Sequence, residues 1–204
     1  MSFELVVTTK NKKKLQEIKD ILSGLDLTVI SLGDYPNSPR IIENGRTFKA
    51  NAAKKALKIG AHLHKLTMGE DSGLCVNALS GRPGVYSSRF SGKNRSDTQN
   101  NAKLLRLMQG RTMNSRRAHY TCAVALADGK KLVAVVEGKC FGLIARELKG
   151  SHGFGYDPLF LIPRYKKTFA QLGEGVKHKM SHRFLALKQL RKILEKYIEK
   201  HKGS

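Results

Sequence analysis

The chain has few cysteines, and their placement argues against two kinds of site. Only three occur among 204 residues, at Cys75, Cys122 and Cys140, and no Cys-x-x-Cys pair is present. An odd number of widely spaced cysteines in apolar, strand-like segments favours buried thiols in a reducing compartment over a disulfide framework. His62 and His64 have no cysteine pair nearby, so a zinc site is not expected.

Long apolar runs are also missing from the sequence. No stretch approaches the roughly 18 consecutive apolar residues that a membrane-spanning helix needs. The opening residues, Met-Ser-Phe-Glu, lack the charged and then apolar regions of a secretory signal. We therefore expect a soluble, cytoplasmic protein that has no membrane partner and is long enough to bury a substantial core.

Acidic residues are scarce relative to basic ones. The sequence holds 16 Asp plus Glu against 38 Lys plus Arg, which gives a formal net charge of +22. Such a field attracts polyanions, either nucleic acid or nucleotides. The positive charges are spread along the whole chain, which weakens the case for a dedicated nucleic-acid-binding arm.

Hydrophobic periodicity predicts an α/β fold with a mixed sheet and helices on its faces, because helix and strand patterns alternate first and strands cluster later. Strands are predicted at 4–8, 27–31, 120–127, 131–137 and 140–146, and a turn followed by a strand at 71–79. Helices are predicted from near Leu15, Thr47, Asp97 and Ser181, with Asp97 as a helix cap. Asp128-Gly129 predicts a hairpin turn, and 80–96 is predicted to be a Gly/Ser-rich loop.

Residues 153–160, Gly-Phe-Gly-Tyr-Asp-Pro-Leu-Phe, are the most informative stretch. Two aromatic residues alternate with glycines, so that a flat ring could approach Phe154 or Tyr156 closely, and Asp157 adds a hydrogen-bond acceptor beside them. A stacking surface next to a polar edge is what a nucleobase pocket requires. Considered alone, the segment fits an aromatic turn before a buried strand slightly better.

A basic segment, Thr8-Thr9-Lys10-Asn11-Lys12-Lys13-Lys14, lies where the first strand should lead into a helix. Backbone N–H groups at a helix start, together with hydroxyl, amide and ammonium groups, can bind phosphate. The segment is not a Walker loop, because Gly-x-x-x-x-Gly-Lys is absent. An ordinary basic helix cap explains it as well when it is considered by itself.

Carboxylates occur together at Glu70-Asp71, before Ser72-Gly73, and a third is found at Glu43. Adjacent carboxylates repel unless a cation offsets their charge, which makes them candidate ligands for a hard metal ion. Asp71 could also orient or deprotonate a water molecule. The alternative is a common Asp-Ser-Gly turn.

Ser181-His182-Arg183 is predicted to open the last helix. Ser181 is a good N-cap, so that His182 and Arg183 could be plain first-turn residues on a solvated face. No Gly-x-Ser-x-Gly elbow accompanies them, which argues against a hydrolase triad.

Taken together, these blocks resemble the inosine/xanthosine triphosphate pyrophosphatase family, over roughly residues 4–198. The blocks, in order, are Thr9-x-Asn11-x-x-Lys14-x-x-Glu17, Glu43-x-Gly45-x-Thr47-Phe48, Asp71-Ser72-Gly73-Leu74, Pro83-Gly84-x-Tyr86-Ser87, Phe154-Gly155-Tyr156-Asp157-Pro158 and Ser181-His182-Arg183.

The resemblance implies an elongated α/β protein, a single two-lobed domain over residues 1–204, whose lobes enclose a nucleotide cleft above a central mixed sheet. It also implies Mg²⁺-dependent hydrolysis of ITP, dITP and XTP to the monophosphate and pyrophosphate, by a homodimer that does not require nucleic acid.

By motif position, the resemblance also implies a set of site residues. Glu43 and Asp71 would serve the metal, with Asp71 the catalytic base. Residues that would contact the substrate are Thr9, Lys10, Asn11, Lys12, Lys13, Lys14 and Ser72 on the phosphate side, and Phe154, Gly155, Tyr156, Asp157, Lys177, His182 and Arg183 on the nucleoside side.

The chain departs from the family pattern at one position. The usual Phe-x-Glu-Asn reads Phe48-Lys49-Ala50-Asn51 here. If the replaced acid supports the metal site, Mg²⁺ affinity falls; if it only caps or pairs on the helix, little changes.

Two other functions are compatible with parts of the sequence. A basic nucleic-acid-binding module would use Phe154 and Tyr156 for stacking, but it gives Glu43, Glu70 and Asp71 no role. A Maf-like pyrophosphatase has a similar overall plan but lacks the Phe-Gly-Tyr-Asp and Ser-His-Arg blocks found here.

Overall fold

The computed structural model describes residues 3–92 and 96–202. Within these ranges the strands are β1 Phe3–Val7, β2 Leu27–Ser31, β3 Leu66–Val76, β4 Arg117–Asp128, β5 Lys131–Ile144, β6 Phe160–Ile162 and β7 Lys167–Thr168. The α-helices are α1 Lys12–Leu22, α2 Phe48–Leu63, α3 Asp97–Leu107, α4 Phe169–Leu172, α5 Glu174–Met180 and α6 His182–His201. Short 3₁₀ helices lie at Leu32–Asp34, Asn77–Leu79, Gly84–Arg89, Met113–Arg116 and Pro163–Tyr165.

The strands form one mixed sheet in the order β2-β1-β3-β4-β5-β6-β7. β1 pairs in parallel with β2 and β3, whereas β6 pairs antiparallel with β5 and β7. Parallel neighbours need a crossover connection, and α1 supplies it between β1 and β2. The predicted α/β class, with a mixed sheet and flanking helices, is therefore confirmed.

The chain divides into two compact units. The first unit takes in the chain up to Asp71, Cys122–Gly138 and the chain from Arg183 onward, and the second takes in Ser72–Thr121 and Lys139–His182. The core of the first unit comprises Leu5, Val7, Ile18, Leu22, Leu66, Met68, Cys122, Val124, Leu126, Ala186, Leu187, Leu190 and Leu194. The core of the second comprises Leu74, Val76, Leu79, Leu104, Met108, Ala118, Tyr120, Cys140, Ile144, Tyr156, Leu159, Phe160, Ile162 and Phe169.

Several predicted boundaries change in the structure. The helix predicted from Asp97 is capped by Ser96, whose hydroxyl accepts from the Gln99 N–H, so that Asp97 is its first helical residue. The strand predicted at 140–146 is the continuation of β5, which runs unbroken from Lys131 to Ile144. The predicted loop at 80–96 contains the whole of the 3₁₀ helix Gly84–Arg89, and its residues 93–95 lie outside the described ranges.

The three cysteines are free thiols in strands β3, β4 and β5. Cys122 and Cys140 are buried as predicted, whereas Cys75 is partly exposed. Burial raises the pKa of the Cys140 thiol to about 11, which keeps it protonated near neutral pH. Among the described residues, no helix combines the length and the apolar character needed to cross a membrane.

Candidate active site

The basic segment lies at a strand-to-helix junction, as predicted. β1 ends at Val7, and α1 begins at Lys12 with Asn11 as its N-cap. The Asn11 carboxamide oxygen accepts from the Lys14 N–H at 3.1 Å, and the Asn11 N–H donates to Thr9 Oγ1 at 3.2 Å. These bonds fix the loop between the strand and the helix, where Lys10, Asn11, Lys12 and Lys13 are exposed. The first turn of a helix presents N–H groups without intrahelical partners, so this loop offers donors to an anion.

One buried hydroxyl, that of Thr8, lies at the base of this loop. Thr8 Oγ1 is buried, and no hydrogen-bond partner for it occurs in the described part of the chain. The backbone N–H of Thr8 donates to the Met68 carbonyl at 2.9 Å, which connects the loop to β3. A buried hydroxyl usually has a partner, so this one is a candidate donor to a bound ligand.

The segment Glu70-Asp71-Ser72-Gly73 is not a turn. It lies inside β3, which runs from Leu66 to Val76, so the Asp-Ser-Gly turn interpretation was wrong. Successive side chains of a strand point to opposite faces of the sheet. Glu70 and Asp71 therefore serve two different clusters rather than sharing one cation.

Helix α2 packs against β3 beside these carboxylates. A Cβ atom built on Gly69 would lie 2.1 Å from the Ala52 carbonyl oxygen and 2.7 Å from the Ala56 nitrogen. Only glycine permits this close approach of helix and strand. The approach brings Asn51 and Lys55, one helical turn apart on α2, against Asp71.

Asp71 is buried at the centre of the first cluster. The Lys55 ammonium lies 3.1 Å from Asp71 Oδ1, 3.1 Å from Glu43 Oε1 and 2.9 Å from the Glu70 carbonyl oxygen. The Asn51 carboxamide donates to Asp71 Oδ2 at 3.0 Å and accepts from the Gly45 N–H at 2.7 Å. Both predicted metal ligands, Glu43 and Asp71, thus converge on one cationic group.

The pKa of Asp71 lies above that of an ordinary aspartate. Burial raises the pKa by penalising the charged form, while the Lys55 charge and the Asn51 hydrogen bond oppose that effect. A carboxylate whose pKa is raised in this way is a stronger base than a solvated one.

Glu70 forms the second cluster, which is a buried ion-pair network. Its carboxylate accepts from Arg183 Nε at 3.2 Å and Nη2 at 2.9 Å, and from the Lys14 ammonium at 3.2 Å. Arg183 Nη1 also donates to Glu17. Burial lowers the pKa of Arg183, but the Glu70 and Glu17 carboxylates raise it by more, so the guanidinium stays charged.

The first turn of α6 is not solvated. Arg183 is 1 % and His182 is 5 % exposed, so the interpretation of both as residues on a solvated face was wrong. The His182 ring stacks on Tyr120 with centroids 4.6 Å apart and an interplanar angle of 11°. Arg183 belongs to the first unit and His182 to the second.

The aromatic segment forms a tight loop in the second unit. Asp157 Oδ2 accepts from the Phe154 N–H at 2.9 Å and from the Lys177 ammonium at 2.5 Å. The same ammonium lies 4.4 Å from the centroid of the Phe154 ring, a cation–π distance. Asp157 and Lys177 are buried, whereas Phe154 is partly exposed. Gly153 has φ +83°, and a Cβ there would lie 2.1 Å from Asp157 Oδ2, so that glycine is required.

Two side chains of helix α3 form hydrogen bonds with Gly155, the residue that follows Phe154 in this loop. The Gly155 N–H donates to Asp97 Oδ2 at 2.6 Å, and its carbonyl accepts from the Asn101 carboxamide at 2.9 Å. Tyr156 is buried, and its hydroxyl donates to the Ser87 carbonyl at 2.8 Å. Tyr156 therefore packs in the interior, and Phe154 is the aromatic ring that this loop presents.

Each unit gathers part of the predicted site. The first unit brings Glu43 and Asp71 together and carries the segment from Thr9 to Lys14. The second unit brings together Phe154, Gly155, Asp157 and Lys177, and Ser72 is half-buried in its part of β3.

Five residues that contribute contacts here were given no role in the site by the sequence patterns: Glu17, Asn51, Lys55, Asp97 and Asn101. A signal existed for two pairs, because Asn51 and Lys55, and Asp97 and Asn101, are polar residues spaced i, i+4 on one face of a helix. On α2 that face is otherwise apolar, with buried Phe48, Ala52, Ala56 and Ile59. Two polar residues in such a stripe indicate a buried polar partner.

The departure at Ala50 falls on the third helical position of α2. The Ala50 N–H donates to the Thr47 hydroxyl, which caps the helix, and the Ala50 side chain is exposed. An acid at this position forms a capping box with a threonine cap.

Comparison with known proteins gives a consistent result. The model of the Ham1 family matches residues 5–193. The dITP/XTP pyrophosphatase of Desulforamulus reducens is 46 % identical over 193 residues, covering 95 % of this chain and 96 % of that protein. The dITP/XTP pyrophosphatase of Rhodopirellula baltica is 46 % identical, covering 91 % of this chain and 90 % of that protein.

Solved structures agree with these matches. A HAM1 protein from Coxiella burnetii superposes with a TM-score of 0.88 at 36 % identity, covering 95 % of this chain and 99 % of that one. A nucleoside-triphosphatase, or dITP/XTP pyrophosphatase, from Mycobacterium abscessus gives a TM-score of 0.76 at 37 % identity, covering 92 % and 97 %. Both comparisons extend over nearly the whole chain, as the resemblance in sequence does.

Proposed function

Because the chain belongs to the Ham1 family, we propose that it hydrolyses the non-canonical purine nucleoside triphosphates ITP, dITP and XTP to monophosphate and pyrophosphate. Its relatives are named for dITP and XTP. The observation that carries the proposal is the position of Asp71, a buried carboxylate with a raised pKa, beside Glu43 and in the same unit as the anion-binding loop.

Asp71 is the proposed base. Hydrolysis requires a water molecule to be deprotonated or oriented as it attacks phosphorus, and a carboxylate of raised pKa suits this step. The Asn51 carboxamide holds one Asp71 oxygen and the Lys55 ammonium the other. These two contacts fix the direction in which the carboxylate faces.

Glu43 and Asp71 would hold Mg²⁺. Protein sites for this ion commonly supply one or two carboxylates and leave the remaining positions to water and substrate phosphates. The two carboxylates here converge on the Lys55 ammonium, so the donor set fits a cation. Within the described residues no group of three or more Asp, Glu, His or Cys is placed to bind a metal ion. Bound Mg²⁺ would neutralise the charge of the triphosphate.

The loop from Thr9 to Lys14 would hold the phosphates. It combines the N-terminal turn of α1 with four lysines, and the buried Thr8 hydroxyl lies directly before it. Thr9 and Asn11 bond within the loop, so we propose that they act by shaping it. Positive charge at this position would offset the charge that develops on the departing pyrophosphate.

Phe154 would stack on the base, and the polar groups around it would select hypoxanthine and xanthine. Both bases present O6 as an acceptor and N1–H as a donor, and adenine reverses this pattern. A donor facing O6 and an acceptor facing N1–H would reject adenine by leaving buried groups unpaired. We propose that Lys177 and His182, which lie in the same unit as Phe154, supply donors in this site. Arg183 is buried in the first unit, and its guanidinium donates to Glu70 and Glu17.

Asp157 has a positioning part in this proposal rather than direct contact with the base. Its Oδ2 accepts from both Phe154 N–H and Lys177 Nζ. We propose that it holds the stacking ring and the Lys177 ammonium in fixed positions.

Release of pyrophosphate from ITP in the presence of Mg²⁺ tests the proposed function. The wild-type protein should release pyrophosphate and the monophosphate, whereas Asp71→Asn should retain its fold and lose turnover. Near-wild-type turnover by Asp71→Asn would contradict the assignment of the base. A homodimer and a cytoplasmic location are further parts of the proposal, and a monomer mass by light scattering would contradict the dimer.

A further inference from the structure

A cavity of about 460 Å³ lies in the second unit, within the volume range of small-molecule sites. Four of its eight lining residues are arginines and none is acidic: Leu105, Arg106, Gln109, Gly110, Arg111, Thr112, Arg116 and Arg146. None of these residues belongs to the proposed active site.

Arg116 forms the buried part of this cavity. It is 3 % exposed, and its guanidinium donates from Nε to the Ile144 carbonyl at 2.6 Å, from Nη1 to Met108 at 2.6 Å and from Nη2 to Ala145 at 2.9 Å. These bonds engage three of the five N–H donors of a guanidinium. They hold the end of α3 and the end of β5 in fixed positions around the cavity.

Among the residues that the structure describes, no carboxylate balances the charge of Arg116. In the described part of the chain it forms no ion pair, and its acceptors are neutral carbonyl groups. The buried Arg183, by contrast, has both Glu70 and Glu17 as partners. Burial and the neighbouring Arg146 charge lower the pKa of Arg116, which means that its charged form lacks compensation. A buried charge without a counterion is costly, and an anion in the cavity would offset that cost.

We propose that this cavity, which we call the arginine pocket, binds a short phosphate chain that carries more negative charge than orthophosphate. The planar guanidinium group of arginine donates paired hydrogen bonds to phosphate oxygens. Exposed Arg106, Arg111 and Arg146 line the pocket together with the buried Arg116. No aromatic side chain lines the pocket to stack a base. The phosphate chain itself is therefore the recognised group, and inorganic pyrophosphate is the simplest ligand of this class.

Arginine side-chain NMR gives a local measurement. The buried Arg116 Nε–H should yield a protected ¹H–¹⁵N signal, which reports on the pocket rather than on the Thr9–Lys14 loop. Titration of the metal-free protein with pyrophosphate should shift this signal with saturation. Orthophosphate, which has fewer charges, should shift it at least tenfold more weakly.

A pair of variants provides the control. Arg111→Gln with Arg146→Gln removes two exposed pocket charges and should weaken the pyrophosphate response at Arg116 at least tenfold. Arg117→Gln with Arg164→Gln removes the same charge from exposed positions of the same unit outside the pocket, and should leave it unchanged. An Arg116 signal that does not respond to pyrophosphate would overturn the proposal. Equal weakening of the pyrophosphate response by both variant pairs would also overturn it. That result would mean that the response depends on the overall positive charge rather than on the pocket.

Discussion

The side-chain amide of Asn51 donates to the Asp71 carboxylate at 3.0 Å while its oxygen accepts from the Gly45 N–H at 2.7 Å. One residue thereby links the segment that carries Glu43 to the strand that carries Asp71. Both proposed metal ligands depend on this link for their relative position within the first unit.

Asn51→Ala should therefore weaken both the fold and the reaction. It leaves the Gly45 N–H and an Asp71 oxygen without a partner, which should lower the free energy of unfolding by about 1–3 kcal/mol. It should also lower kcat for ITP at saturating Mg²⁺ by at least tenfold. Urea denaturation and steady-state kinetics measure the two effects. Lys49→Ala, at an exposed position on the same helix, is the control and should change neither. Wild-type kcat in Asn51→Ala would show that the link is dispensable.

Lys55→Met should change the pH dependence of turnover. The Lys55 charge lowers the pKa of Asp71 and opposes the effect of burial. Asp71 acts as a base only when deprotonated, so kcat/KM should fall as the pH drops through its pKa. Removal of the lysine raises the pKa of Asp71. The acidic limb of the plot of kcat/KM against pH should therefore move to higher pH. Lys58→Met removes an exposed lysine from the same helix and should leave the limb in place. If the acidic limb of Lys55→Met is unchanged or moves to lower pH, the proposed effect of Lys55 on the pKa of Asp71 is contradicted.

Glu70→Gln should destabilise the protein strongly. Neutralising one partner of a buried ion pair leaves Arg183 with less compensation, and the expected loss is about 3 kcal/mol. Glu195→Gln breaks a partly exposed pair with Arg191 on α6 and should cost about 0.5 kcal/mol or less. Chemical denaturation of the two variants gives the comparison. Equal losses would mean that the Glu70 network does not stabilise the fold.

Asp157→Asn tests the proposed positioning of Phe154 and Lys177. The neutral side chain no longer balances the buried Lys177 ammonium, so the ammonium should leave its place over the Phe154 ring. We expect KM for ITP to rise at least tenfold with a smaller change in kcat, because the phosphate side is untouched. Asp128→Asn, at an exposed carboxylate, serves as the control. A fall in kcat with unchanged KM would place Asp157 in the chemical step instead.

The sequence predicted the mixed sheet because hydrophobic periodicity is local. Leu27–Ser31 was placed correctly, and the Asp128-Gly129 hairpin joins β4 to β5 as predicted. The segment around Asp71 was placed wrongly, since Asp, Ser and Gly are typical turn residues. Its burial in β3 depends on the contact of Gly69 with α2, which is a tertiary contact.

The partners of the site residues were harder to predict than the residues themselves. Glu17 and Arg183 are 166 positions apart in sequence, and Arg183 and Glu70 are 113 apart. Nothing local in the sequence indicates such pairs. Asp157 was predicted as an acceptor, but its contacts with Lys177 and with Phe154 N–H follow from the folded loop.

Substrate selection is the most direct test of the central claim. Purified protein with Mg²⁺ is supplied with ITP, XTP, GTP or ATP, and kcat/KM and the products are measured. The account predicts release of pyrophosphate from ITP and XTP, with kcat/KM for ATP lower by roughly 10⁴-fold and that for GTP clearly below that for ITP. Comparable values for GTP and ITP, or release of orthophosphate in place of pyrophosphate, would contradict it.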